Sequence, residues 1–295
     1  MARQRLKGKR ALVTGASSGL GAELARTLAA EGANLVIVAR REARLAGLKD
    51  EIEAAHGVEV HVEVLDLTQP DAAVTLHGRT EGADLAIDVL VNNAGFGDYR
   101  NFLEIEWDRH AGMIQLNVTV LTQLTHLFLP QMIARGHGHV MNIASMAAYL
   151  PSPRFAAYAA SKAYVRDFTE AIDYELGGTG VRAICICPGG TRTEFLEQAG
   201  QTLKRSGELA MMTAARCAQI AVDKMLAGRR TVITGFTNVL SSFFLRFVPR
   251  RWLPAIAKLT MDAGVEQAPR AQPITATTPE ALPGPCDPTP GDAIE

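Results

Sequence analysis

The 295-residue chain is 47% hydrophobic, with a formal net charge of -1 and a pI near 6.7; it has ample apolar side chains for one large core and no broad basic surface for nucleic-acid phosphates. The basic stretch from Arg3 to Arg10 is followed only by Ala-Leu-Val before Thr14, too short for an export signal, and Cys185, Cys187, Cys217 and Cys286 fall at no metal-ligand spacing. These features exclude a nucleic-acid binder and a secreted disulfide frame, and they lead us to expect a cytoplasmic protein acting on a small molecule, without a metal.

Taken in chain order, the pattern alternates strand-like and helix-like segments. Arg10–Thr14 predicts a strand and Leu20–Glu31 a helix; Asn34–Ala39 and Glu42–His56 repeat the pair, and Val58–Leu65 predicts a third strand. Val89–Asn92, a long helical segment over Trp107–Arg135, His139–Ile143, a second helical segment over Tyr158–Gly177, Val181–Cys187 and Thr231–Thr234 continue the alternation. Runs such as Leu35-Val36-Ile37-Val38 are apolar at every position, as expected of strands covered on both faces. The fold class that follows is α/β, a doubly wound parallel sheet (Rossmann fold), forming a single domain over residues 1–235 with a C-terminal helical extension. Cys185 and Cys187 share one face of a strand and read as packing residues.

The turns at the strand ends carry the chemistry. Thr14-Gly15-Ala16-Ser17-Ser18-Gly19-Leu20-Gly21 joins the first strand to the first helix, where backbone N–H groups and the helix dipole face a pyrophosphate and a Cβ would block its approach. After the second strand, Arg40 and Arg41 stand where an NAD enzyme usually carries an acid; Arg40, joined by Arg41 and the hydroxyl of Ser17 or Ser18, supplies forked donors for a 2′-phosphate, so NADP(H) is expected over NAD(H). Their alternative is a solvated helix start. Leu65-Asp66-Leu67 puts a carboxylate where it can accept from an adenine amino group, or simply cap the next turn. Asn92-Asn93-Ala94-Gly95 makes a close turn under the adenosine ribose.

Tyr158 and Lys162 lie four residues apart, on one face of a helix, where a neighbouring ammonium pulls a phenol toward the range of proton exchange. On its own such a pair is an exposed helix face. Ser145 follows the fifth strand and can donate to a substrate oxygen or cap the next segment, while Pro188-Gly189-Gly190-Thr191-Arg192-Thr193 offers a nicotinamide carboxamide its backbone and hydroxyl groups, or is a simple turn. His137 and His139 lack acidic or cysteine partners nearby in sequence, so no metal is assigned.

Taken together and in order, Thr14–Gly21, Asp66, Asn92–Gly95, Asn117, Ser145, Tyr158, Lys162 and Pro188–Thr193 resemble the short-chain dehydrogenase/reductase family over roughly residues 8–235. The resemblance implies an NADP(H)-dependent oxidoreductase for ketones and secondary alcohols, assembled as a homodimer or homotetramer. Tyr158 is then the general acid/base, Lys162 lowers its pKa and holds the nicotinamide ribose, Ser145 polarises the carbonyl, and Asn117 positions a water linking Lys162 to solvent. A dinucleotide-binding redox sensor without catalysis is the alternative, and it would not require the proton-transfer pair.

Residues 236–262 concentrate aromatics among arginines: Leu240, Phe243, Phe244 and Phe247 fit one helical face, interrupted after Arg246 by Pro249 and Pro254. That face suits packing against the body of the protein, closing over a lipophilic substrate, an oligomer interface, or weak contact with a membrane surface. Residues 263–295 read as a disordered tail, since the last 25 hold six of the chain's 14 prolines and no lysine or arginine.

Overall fold

The computed structural model describes residues 4–200 and 211–264, so most of the expected tail, 263–295, lies outside the described residues. Its main sheet has seven parallel strands in the order β3-β2-β1-β4-β5-β6-β9, namely Val60–Val64, Asn34–Ala39, Arg10–Thr14, Val89–Asn92, Gly138–Ile143, Val181–Cys187 and Thr231–Ile233. Two short strands, β7 (Thr191–Arg192) and β8 (Met212–Thr213), pair separately.

Alternation along the inner strands explains their unbroken apolar runs. In β2, Leu35 and Ile37 join one core layer while Val36 and Val38 join the other; in β1, Ala11 and Val13 face the first layer and Leu12 the second. Helices α1 (Gly19–Ala30), α2 (Glu42–His56) and Ala214–Leu226 cover the first face, and α3 (Ala72–Arg79) and α5 (Leu121–Arg135) the second. Chain order reverses beside β1, between β2 and β4, and open α/β sheets bind ligands at the carboxyl ends of the strands flanking such a point.

The segment expected as one helix over Trp107–Arg135 is α4 (Trp107–Ile114), a π-helical stretch over Gln115–Val120, and then α5. Helix α6 runs over Ala156–Glu175. Beyond β9 the chain forms the helices Phe236–Leu245 and Leu253–Gly264. The aromatic face of the first is turned away from the body. Its polar side, with Asn238 Nδ2 donating to the Thr234 carbonyl (2.7 Å) and Ser242 buried, is directed inward. The expected packing of that aromatic face against the protein is therefore corrected.

Candidate active site

The two turns that meet at the switch point are joined by one hydroxyl. Thr14 Oγ1 donates to the Val91 carbonyl (3.2 Å) and accepts from the amides of Asn93 and Ala94 (both 3.0 Å), while Asn93 Nδ2 donates to the Thr14 carbonyl (2.9 Å). This brings the backbones so close that side chains are excluded. A Cβ on Gly15, whose φ is +69°, would lie 2.9 Å from Ala94 Cα, and one on Gly21 would lie 2.5 Å from Asn93 Nδ2. Helix α1 begins here with extended Ser18 as its N-cap, without a side-chain cap and without an acid in its first turn. Its first amides thus remain available to an anion.

Opposite stand the residues expected to handle the proton. Ser145, two residues beyond β5, accepts from the Ala147 amide (3.1 Å), and its side chain lies near enough to Tyr158 on α6 to lower that phenol's pKa. One turn along α6, Lys162 Nζ donates to the Ile143 carbonyl (2.8 Å) and sits 5.7 Å from the Tyr158 ring centroid. Tyr158 and Lys162 are both buried. Burial pushes the Tyr158 phenol up to about 12, against the downward pull of the nearby Ser145 hydroxyl, and brings the Lys162 ammonium down to about 8. The pair is adjacent, as its spacing requires, but loss of hydration outweighs the expected pull of ammonium on phenol.

Asn117, fully buried in the π-helical stretch, holds the loop after β4. Its Oδ1 accepts from the Phe96 amide (3.1 Å), and its Nδ2 donates to the Phe96 carbonyl (3.0 Å) and Ser161 Oγ (3.1 Å). π-turns inside α-helices are frequent at functional sites, and here the wider turn carries the asparagine.

A cavity of ≈ 620 Å³ joins the two halves, and every predicted site residue lines it except Ser17, Arg40, Arg41, Asp66, Leu67 and Asn117. Within the last loop, Thr191 Oγ1 donates to the Gly189 carbonyl (3.1 Å) and Thr193 Oγ1 accepts from the Phe195 amide (3.3 Å). Among the residues off the cavity, Arg40 and Arg41 behave differently. The Arg40 side chain is 73% exposed, with its guanidinium 3.7 Å from Asp66, whereas Arg41 donates to Ser17 Oγ (3.1 Å) and Ser18 Oγ (2.5 Å) at the start of α1. Asp66 caps its own turn through the Thr68 amide (3.0 Å) and hydroxyl (2.8 Å), which is the simpler of its two expected roles, and Leu67 is core.

Sequence reasoning missed two groups. Glu194 accepts from Arg41 Nη1 (2.9 Å) and from Arg44, whose hydrogen bonds hold its carboxyl down at about 2. Phe155 stacks on Tyr158 at 4.3 Å and Phe195 lies 5.3 Å from it, giving the chemical end an aromatic wall extended by Leu150, Leu196 and Met261. Phe155 precedes α6 and Phe195 follows Thr193, but nothing local marks either as facing the tyrosine.

Residues 9–204 match the model of the short chain dehydrogenase family. The chain is 40% identical to an oxidoreductase of Myxococcus xanthus over 185 residues, 63% of this chain and 73% of that one. It is 35% identical to the 7beta-hydroxysteroid dehydrogenase of Collinsella aerofaciens over 189 residues, 64% and 71% of the two chains. Among solved structures, a short-chain dehydrogenase from Sphingobium yanoikuyae in complex with NADPH superposes with a TM-score of 0.74 at 28% identity, covering 89% of this chain and 98% of that one. A short chain dehydrogenase/reductase from Burkholderia phymatum in complex with NAD gives 0.73 at 25% identity, covering 81% and 93%.

Proposed function

The chain belongs to the short chain dehydrogenase family of oxidoreductases, and from that premise we propose that it transfers hydride between NADP(H) and a bulky apolar ketone or secondary alcohol. The observation that carries this reading is the convergence of Ser145, Tyr158 and Lys162 on the same cavity as the glycine turn at the start of α1. The cavity fits a dinucleotide: the approach of Gly15 to Ala94 leaves no room for side chains, and the first turn of α1 has uncapped amides. When bound, the nicotinamide dinucleotide supplies or accepts the hydride.

The residues of this chain handle the proton and the orientation. In reduction, a hydrogen bond from the Ser145 hydroxyl draws the substrate carbonyl oxygen to the Tyr158 hydroxyl, which gives its proton as the oxygen becomes an alkoxide. A phenol held near 12 stays protonated through the neutral range and thus serves as the acid. Lys162, held by Ile143, keeps a positive charge or a titratable amine beneath the tyrosine ring, within reach of a ribose, and Asn117 fixes the loop that passes over it. NADP(H) is favoured because Arg41 is forked between Ser17 and Ser18, and the Sphingobium protein, which binds NADPH, supports this; the Burkholderia protein, which binds NAD, sets the alternative to be tested. An apolar substrate is favoured by Phe155, Phe195 and Met261 beside the tyrosine and by the likeness to a hydroxysteroid dehydrogenase.

Purified protein should oxidise NADPH in the presence of bulky apolar ketones, with kcat/KM rising with ketone apolar area and exceeding the value with NADH. A preference for small hydrophilic carbonyls, or for NADH, would refute the corresponding half of the proposal.

A further inference from the structure

The helix Phe236–Leu245 has its amphipathicity reversed with respect to the protein. Phe236, Val239, Leu240, Phe243, Phe244 and Phe247 recur at i, i+3, i+4, i+7, i+8 and i+11, one continuous helical face, and all six are exposed, Phe236 at 81% and Phe247 at 71%. Trp252 in the next turn and Leu259 in the next helix are exposed as well. So large an aromatic patch requires an apolar partner. The same two helices contribute to the cavity from their other sides, through Thr237 and Asn238 of the first and Ala257, Thr260 and Met261 of the second, so the patch backs directly onto the candidate active site.

Charge identifies the partner. No residue from Phe236 to Met261 is acidic, while Arg246, Arg250, Arg251 and Lys258 are all basic and exposed. A second copy meeting this face through a two-fold axis would set four cations against four. An anionic lipid surface satisfies both needs, taking the aromatics into the acyl boundary and the cations among its headgroups. None of the described helices is long and apolar enough to cross a membrane, which suits a segment lying in the plane of the interface.

We propose that residues 236–261 dock on the surface of an anionic phospholipid bilayer, holding the mouth of the cavity against the membrane so that apolar ketones reach Tyr158 from the lipid. The delivery of ketone rests on the oxidoreductase reading above; the docking does not.

The test is co-sedimentation of the full chain with vesicles of phosphatidylcholine alone or with a quarter of phosphatidylglycerol. The chain should pellet with the anionic vesicles and be weakened by added salt. Arg250→Gln/Arg251→Gln should reduce partitioning by about fivefold per charge, and Phe243→Ser/Phe247→Ser should abolish it. Both variants alter exposed side chains outside the cavity lining, so each should turn over a water-soluble ketone at the wild-type rate and a vesicle-dissolved ketone more slowly. A wild-type chain that stays in the supernatant with anionic vesicles overturns the proposal. If, in addition, Phe243→Ser/Phe247→Ser lowers the mass measured by light scattering, the face is an interface between copies. Vesicle binding without turnover of any ketone would leave the docking standing and refute the oxidoreductase reading alone.

Discussion

Replacing Arg41 by methionine and Glu194 by glutamine should move cofactor selectivity in opposite directions. Arg41 is held by two serine hydroxyls at the start of α1 and by Glu194, a carboxylate from the loop after β7 that stands beside the donors a 2′-phosphate needs. Glu194 is also bound by Arg44, and these two guanidinium groups hold its carboxyl near 2. The Arg41 and Glu194 side chains are 39% and 37% exposed, so solvent screening holds their attraction to about 1 kcal/mol. A charge-assisted bond from Arg41 to a 2′-phosphate would contribute more, roughly 1.5–3 kcal/mol, enough for a bound phosphate to displace the carboxylate. Net of the lost pair with Glu194, Arg41→Met should therefore raise the Kd for NADPH roughly 2- to 30-fold and leave that for NADH nearly unchanged. Glu194→Gln, by removing a competing anion, should lower the Kd for NADPH by about fivefold at most, again with little effect on NADH. Titration of NADPH and NADH fluorescence measures all four values. Equal weakening of both cofactors by Arg41→Met, or weaker NADPH binding in Glu194→Gln, would refute the reasoning.

Two further variants test packing and electrostatics. Gly21→Ala drives a Cβ into the Gly15 carbonyl and to 2.5 Å from Asn93 Nδ2, so it should lower stability to urea by about 1–3 kcal/mol and weaken both dinucleotides alike; unchanged stability would mean that the two turns separate easily. Lys162→Met tests the cost of a buried ammonium. Its pKa falls from 10.5 when unfolded to about 8 when folded, so between those values the unfolded chain binds more protons and wild-type stability should rise with pH. The difference amounts to roughly 3 kcal/mol, partly offset by about 1 kcal/mol for the lost bond to Ile143. Without cofactor the variant should be the more stable protein at pH 7, and its advantage should shrink as pH rises from 8 to above 10; a variant less stable at pH 7, or a constant difference, would contradict this.

The sheet was legible because burial on both faces leaves an unmistakable pattern: β2, β4 and β6 occupy the expected residues, while β3 and β9 lose only the ends where pairing stops. The glycine turn and the Tyr158 and Lys162 spacing were legible too, since close backbone approach and helical period are local requirements. The π-helical turn at Asn117 was not, because one extra residue in a helical turn leaves the composition unchanged. The expectation that Arg40 leads and Arg41 assists is reversed: neighbours on a chain point in different directions, and only Arg41 reaches Ser17 and Ser18. Glu194 lies 153 residues from Arg41, and their meeting depends on the route of the loop after β6. Around Phe243 the helical period was visible but its direction was not, since an apolar face specifies an apolar neighbour without saying whether that neighbour is the protein's own core.

The central claim is that the Tyr158 hydroxyl delivers the proton while the rest of the cavity binds the dinucleotide, and Tyr158→Phe tests it most directly because it removes one oxygen and leaves the stacked ring beside Phe155. Single-turnover reduction of a ketone should slow by roughly 10²- to 10⁴-fold, with the Kd for NADPH close to that of the wild type. A phenylalanine variant that reduces ketone at the wild-type rate would contradict the assignment.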